Sequence, residues 1–71
     1  MPLALMHTGA KATLRAIRGG HGLRGRLCAL GLIPGAEVEV LRNGGGGPCV
    51  VSVGGNRIVL GRGMAMQIEV D

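Results

Sequence analysis

Leu23, Leu27 and Leu30 recur at i, i+4 and i+7, which lines three leucines along one helix face while Arg24 and Arg26 point elsewhere. Gly31 follows the last periodic residue and predicts a left-handed C-cap, with Leu32 folding back onto the final turn. Pro34-Gly35 predicts a type II turn, because proline presets the first central dihedral and glycine supplies a positive φ at the second. The remaining segments alternate with period two. Ala12, Leu14 and Ala16 against Lys11, Thr13 and Arg15 predict a strand over 11–17, and Ile17 breaks the alternation, which predicts a bulge or bend near the strand end. Ala36, Val38 and Val40 inward, with Glu37 and Glu39 facing water, predict a half-buried antiparallel strand over 36–41. Residues 49–53 and 57–60 read as strands joined by the hairpin signal Gly54-Gly55-Asn56. After a turn at Gly61-Arg62-Gly63, residues 64–70 predict a closing strand with Ile68 and Val70 inside and Gln67 and Glu69 outside.

Two loops separate these elements. Residues 18–22 (RGGHG) form a glycine-rich loop that exposes Arg18 and His21, and residues 43–48 (NGGGGP) are expected to be the most mobile part of the chain, because four consecutive glycines lose much entropy on ordering. Residues 1–9 have no period. Leu3, Leu5 and Met6 are expected either to plug one end of the fold or to fray. The expected core is Leu14, Leu27, Leu30, Val38, Val51, Leu60 and Ile68.

About five short strands, one short helix and tight turns predict a mostly β fold, a small antiparallel barrel occupying residues 1–71 as a single domain. Composition narrows the picture. Fifteen glycines are too many for a helical bundle, and without Phe, Trp or Tyr the interior must be built from aliphatic and sulfur side chains alone. Two distant cysteines give no disulfide framework and suit a reducing compartment. Met1 to Met6 lacks a basic leader, and Lys and Arg interrupt every longer apolar run, so neither a signal peptide nor direct membrane insertion is expected.

Eight Lys and Arg against four Asp and Glu give a net charge of +4, which points to an acidic partner: phosphate, an anionic membrane face or an acidic protein surface. Metal ligation has four candidates in His7, His21, Cys28 and Cys49, but no pair has the close spacing of CxxC or HxxxH, and both cysteines suit a core position. No GxxxxGK[ST] is present, nor a GxGxxG between strand and helix, so no nucleotide cofactor is expected. Ser52 is the only serine and has no neighbouring His or acid in sequence, which argues against an enzyme.

Gly9-x-x-Ala12, Arg18-Gly19-Gly20, the run RLxxLGLxPG over 26–35, Gly47-Pro48 and LGRGMAMQIEV over 60–70 together resemble the ferrous iron transport protein A (FeoA) family. The resemblance spans nearly the whole chain, and its most specific part is RLxxLGLxPG followed by the acid-alternating strand. It implies an SH3-like antiparallel barrel with one short helix inserted after the first strand. It further implies a non-enzymatic cytoplasmic accessory protein that acts on the membrane ferrous iron transporter with its GTP-binding domain, and that reaches the inner membrane through this partner. Against this family's usual pattern, Met64 and Met66 flank Ala65 where a charged or polar residue commonly precedes the alanine. Those methionines predict a soft apolar patch suited to a partner or to a homo-oligomer.

The expected partner-binding residues are therefore Arg15, Arg18, Arg24 and Arg26 as one basic face, with Met64 and with Leu41 as an outward apolar position. The rival reading is a small basic barrel that binds nucleic acid through phosphate contacts. Missing aromatics count against it, since single strands and loops are held by stacking on Phe, Tyr or Trp. The same absence disfavours proline-rich peptides, which dock in aromatic-lined grooves.

Overall fold

The computed structural model describes residues 1–71. Its elements run as a 3-10 turn (Leu3–Leu5), β1 (Lys11–Ile17), α1 (His21–Ala29), β2 (Glu37–Arg42), β3 (Cys49–Val53), β4 (Asn56–Leu60), α2 (Arg62–Met66) and β5 (Ile68–Val70). All strand pairs are antiparallel, in the order β4-β3-β2-β1-β5. No ladder joins β4 to β5, so the sheet is strongly bent but not closed, and the expected barrel keeps two edges.

β1 is what bends it. Residues Lys11 to Thr13 pair with β2, whereas Leu14 to Ile17 pair with β5, and the register slips between Leu14 and Ala16. The slip is the bulge that Ile17 foreshadowed, placed earlier: Arg15 is the extra residue, so the phase flips after Leu14. Ala16, expected inward, is consequently exposed, and Ile17 packs against the core instead. A second slip between Val40 and Arg42 makes Leu41 the extra residue of β2. Leu41 is therefore half-buried at a kink rather than standing freely outward.

The interior holds 14 buried residues, every one aliphatic or Cys49, with no buried polar residue. Leu14, Leu27, Val38, Val51, Leu60 and Ile68 lie there as expected. Leu30 does not: it ends the helix and is 48% exposed, while Leu32 takes the buried place. The exchange follows from the cap. Gly31 has φ 94°, its N–H donates to the Cys28 carbonyl and that of Leu32 to the Leu27 carbonyl, each at 3.0 Å, the paired bonds of a Schellman motif. The reversal swings Leu32 back under Leu27 and leaves Leu30 on the rim. At Pro34-Gly35 the predicted turn closes with Ala36 N–H on the Ile33 carbonyl at 3.0 Å and Gly35 at φ 93°.

Three further expectations are corrected. The helix begins at His21 rather than Leu23, so His21 is its exposed first residue and not part of a loop. Residues 64–66, read as the start of the last strand, belong instead to α2, because the Gly61-Arg62-Gly63 turn winds on into a helical turn that seats Ala65 fully in the core and Met64 half-buried against it. Cys28 is exposed near the end of α1, unlike buried Cys49. The chain start is anchored by fully buried Leu3, with Met6 packed beside it and Leu5 outside. The glycine-rich loop is tied down at its beginning: Asn43 Nδ2 donates to the carbonyls of Ala4 and Met6 at 2.8 and 2.7 Å.

Candidate functional site

No polar or charged residue is buried as a whole, and the one enclosed side-chain polar atom without a hydrogen-bond partner is Asn43 Oδ1. No three His, Cys, Asp or Glu side chains converge on a common point. Cys49 is held by burial in its protonated form, its pKa raised above the ordinary 9.0 and only partly drawn back by the charge of Arg62. What the fold does build is a corner where the chain leaves α1.

The Schellman turn and the Pro34-Gly35 turn together lift Leu30 and Ile33 to the surface, 48% and 45% exposed. Ile33 is a ridge between two grooves. On one side lies a cleft of about 580 Å³ whose walls include Leu30 and Ile33, Lys11, the acid pair Glu37 and Glu39 of β2, and the Gly54-Gly55 hairpin tip. On the other lies a smaller groove of about 260 Å³ between β1 and α1, lined by Arg15, Arg24, Cys28, Leu32, Ile33 and Pro34 among others. The corner thus presents two large apolar side chains with arginines on one flank and carboxylates on the other. Gly31 sits behind it with Val53 Cγ1 3.7 Å from where a Cβ would be, so the positive φ, more than crowding, demands glycine there.

The expected basic face is only partly assembled. Arg15 and Arg24 line the same groove. Arg15 Nε, however, lies 3.2 Å from Asp71 Oδ1, and Arg18 Nε lies 3.7 Å from Glu69 Oε1, so two of the four arginines are turned toward the last strand. Arg26 is two residues beyond Arg24, about 200° around the helix, and lines neither groove. Leu41 belongs to a third groove of about 470 Å³ with Arg42, Val50, Arg57 and Val59 on the outer face of β2, β3 and β4. Met64 packs inward, and the exposed apolar side chains near it are Met66 and, on the turn that α2 touches, Leu5.

Sequence reasoning missed the prominence of Leu30 and Ile33. The signal was present in LGLIPG: a helix-ending glycine and a turn proline three residues apart leave room to bury only one of the three aliphatic residues around them.

Comparison with known proteins is consistent in one direction. A family model described as the FeoA domain matches residues 1–71. A curated relative named as an Fe(2+) transport protein A of Methanocaldococcus jannaschii is 37% identical over 70 residues, covering 99% of this chain and 84% of its own. Among solved structures, a crystal structure of an iron uptake regulatory protein (FeoA) superposes with a TM-score of 0.92 at 41% identity, over 99% of this chain and 93% of that one. The Stenotrophomonas maltophilia FeoA solved with zinc, described as a prokaryotic SH3 domain protein, gives 0.90 at 30% identity, over 100% and 89%. A manganese-dependent transcriptional repressor matches at 0.89 with 19% identity over 40% of its length, which shows a shared fold alone.

Proposed function

Because the chain belongs to the FeoA family of ferrous iron transport, we propose that it is an accessory interaction module which binds a cytoplasmic surface of the membrane ferrous iron transporter, on or beside its GTP-binding domain. The observation that carries the surface is the helix-exit corner. Leu30 and Ile33 are large, aliphatic and about half exposed side by side on the ridge between two grooves, and apolar side chains ringed by charge are the usual core and rim of a protein interface. Arg15 and Arg24 supply the basic rim on one flank. The grooves hold no grouped nucleophile, base and acid, which supports binding rather than catalysis as the role. No helix is long and apolar enough to cross a membrane.

Nucleic acid is the less supported reading. The arginines are divided among separate grooves, two of them face carboxylates, and no aromatic ring is available for stacking. The test is direct binding of the full chain to the purified transporter and to its isolated GTP-binding domain, measured by calorimetry with nuclease-treated protein. Binding that falls at least tenfold in a Leu30→Glu, Ile33→Glu double variant with unchanged circular dichroism supports the corner as the contact. Wild-type protein that binds neither form of the transporter overturns the function, and full binding by the double variant overturns the surface.

A further inference from the structure

β4 is an edge strand with its outer side open. It pairs with β3 alone, in the register Val53↔Asn56, Ser52↔Arg57, Val51↔Ile58, Val50↔Val59 and Cys49↔Leu60. Counting from the two-residue hairpin, hydrogen-bonded and non-bonded pairs alternate, so Val53/Asn56, Val51/Ile58 and Cys49/Leu60 exchange bonds. The next ladder agrees with this count: Val40, opposite Val51, donates its N–H to the Ala10 carbonyl, and its own carbonyl accepts from Gly9 N–H instead. Arg57 and Val59 therefore turn their N–H and C=O groups away from the sheet, and neither takes part in any other backbone bond.

Side chains at the same two positions complete a pattern. Ile58 and Leu60 point into the core, whereas Arg57 is exposed and Val59 is 64% exposed. Across the outer face, one row of opposed residues reads Lys11, Glu39, Ser52, Arg57, and the next reads Arg42, Val50, Val59. The first row runs plus, minus, neutral, plus up to the open edge, and the second runs from a cation into two valines. Neither Arg42 nor Arg57 has an ion-pair partner, and no carboxylate lines their groove.

We propose that the free edge of β4 takes up an extended segment of another protein as a sixth strand, one that carries an acidic residue opposite Arg57 and an aliphatic residue two positions away opposite Val59. This goes beyond the transporter-binding reading and uses a different part of the surface from the helix-exit corner. Main-chain bonds to residues 57 and 59 supply the attachment, the carboxylate answers the unpaired guanidinium, and the aliphatic side chain extends the valine row. A second copy of this chain fits less well, because it brings the same net charge of +4 and its β4 carries no carboxylate to answer Arg57.

The test is a titration of the full chain, followed by amide shifts and hydrogen exchange, with capped peptides Thr-Glu-Thr-Val-Thr and Thr-Lys-Thr-Val-Thr. The glutamate peptide is expected to bind with a Kd on the order of 1 mM, to shift and slow exchange at the Arg57 and Val59 amides, and to weaken with salt. The lysine peptide should bind about fivefold or more weakly, and Arg57→Glu should invert that preference. Val59→Pro removes an outward N–H without touching the ladder and should abolish binding of both peptides. Equal binding of the two peptides, shifts that map to the helix-exit corner, binding retained in Val59→Pro, concentration-dependent self-association through β4 in place of peptide uptake, or no shift at all, each overturns the proposal. If Val59→Pro does not fold, the inversion by Arg57→Glu decides the matter alone.

Discussion

Beyond β5 the chain's own start supplies the next hydrogen bonds, whereas beyond β4 there is only solvent. At the first edge Pro2 bridges to Glu69, the Met1 amine donates to the Val70 carbonyl at 2.7 Å, and Val70 N–H donates to the Met1 carbonyl at 2.8 Å. Leu3, wholly buried beneath α2 and β5, anchors that strap, and Glu69 holds the Met1 amine at 3.2 Å on one oxygen and Arg18 on the other. At the second edge the protection is of another kind: a strand of five residues with an exposed arginine, which discourages indiscriminate pairing without covering the backbone. One edge is satisfied by the fold and the other is left available, and this difference separates structural from functional surface on a sheet whose strands otherwise look alike.

The largest test of that contrast removes the anchor. Leu3→Ala should cost about 2–5 kcal/mol, read by urea denaturation, and free the amide of Val70 to exchange, while β3 and β4 amides keep their relative order of protection. Equal loss of protection at both edges would mean that the strap is not what covers β5. Next in size is Ile58→Pro, which deletes a ladder bond and strands the buried Val51 carbonyl at a cost of about 1–3 kcal/mol. Its neighbour Val59→Pro should cost about 1 kcal/mol or less, since its N–H already faces outward. Comparable losses in the two variants would disprove the assigned phase of the edge. Glu69→Gln should reduce stability by about 0.2–1 kcal/mol at low salt and less as salt rises, because the groups it holds are half or more exposed.

The smallest effect is confined to alkaline solution and concerns the foot of β3, on the side of the open edge. Burial raises the Cys49 pKa in the folded protein above its ordinary 9.0, so the unfolded chain loses the proton first. The contribution is therefore complete below about pH 9 and declines as pH climbs through the folded value. Stability of the wild type should fall more steeply over that range than that of Cys49→Ala. Parallel curves would show that the thiol is not shielded. Exposed Cys28, by contrast, should be alkylated in the native state while Cys49 is not.

Much of the fold is legible from the chain because the signals are local. Alternation placed four of the five strands, the hairpin was written in Gly54-Gly55, and RLxxLGLxPG carried both the helix exit and the family resemblance that its relatives bear out. The last strand was overextended, since a five-residue helix with one buried alanine leaves no period to read. Within the expected interaction surface, Arg15 and Arg24 meet in one groove, while Arg18 turns to an acid 51 residues downstream and Met64 turns inward. Such pairings join positions distant in sequence, and no window of neighbouring residues contains them.

By itself the sequence determined which residues prefer strand, turn and helix end, that the interior is aliphatic, and that the molecule is cationic, because each depends on side-chain chemistry and short-range backbone geometry. Only the tertiary structure decided which aliphatic residues stay outside, which arginines keep their charge free, and which edge of the sheet is covered. Two bulges reset the phase of β1 and β2, and the reversal at Gly31 exchanged Leu30 for Leu32 in the core. These are choices of register and of long-range contact, settled when the whole chain competes for a single small interior.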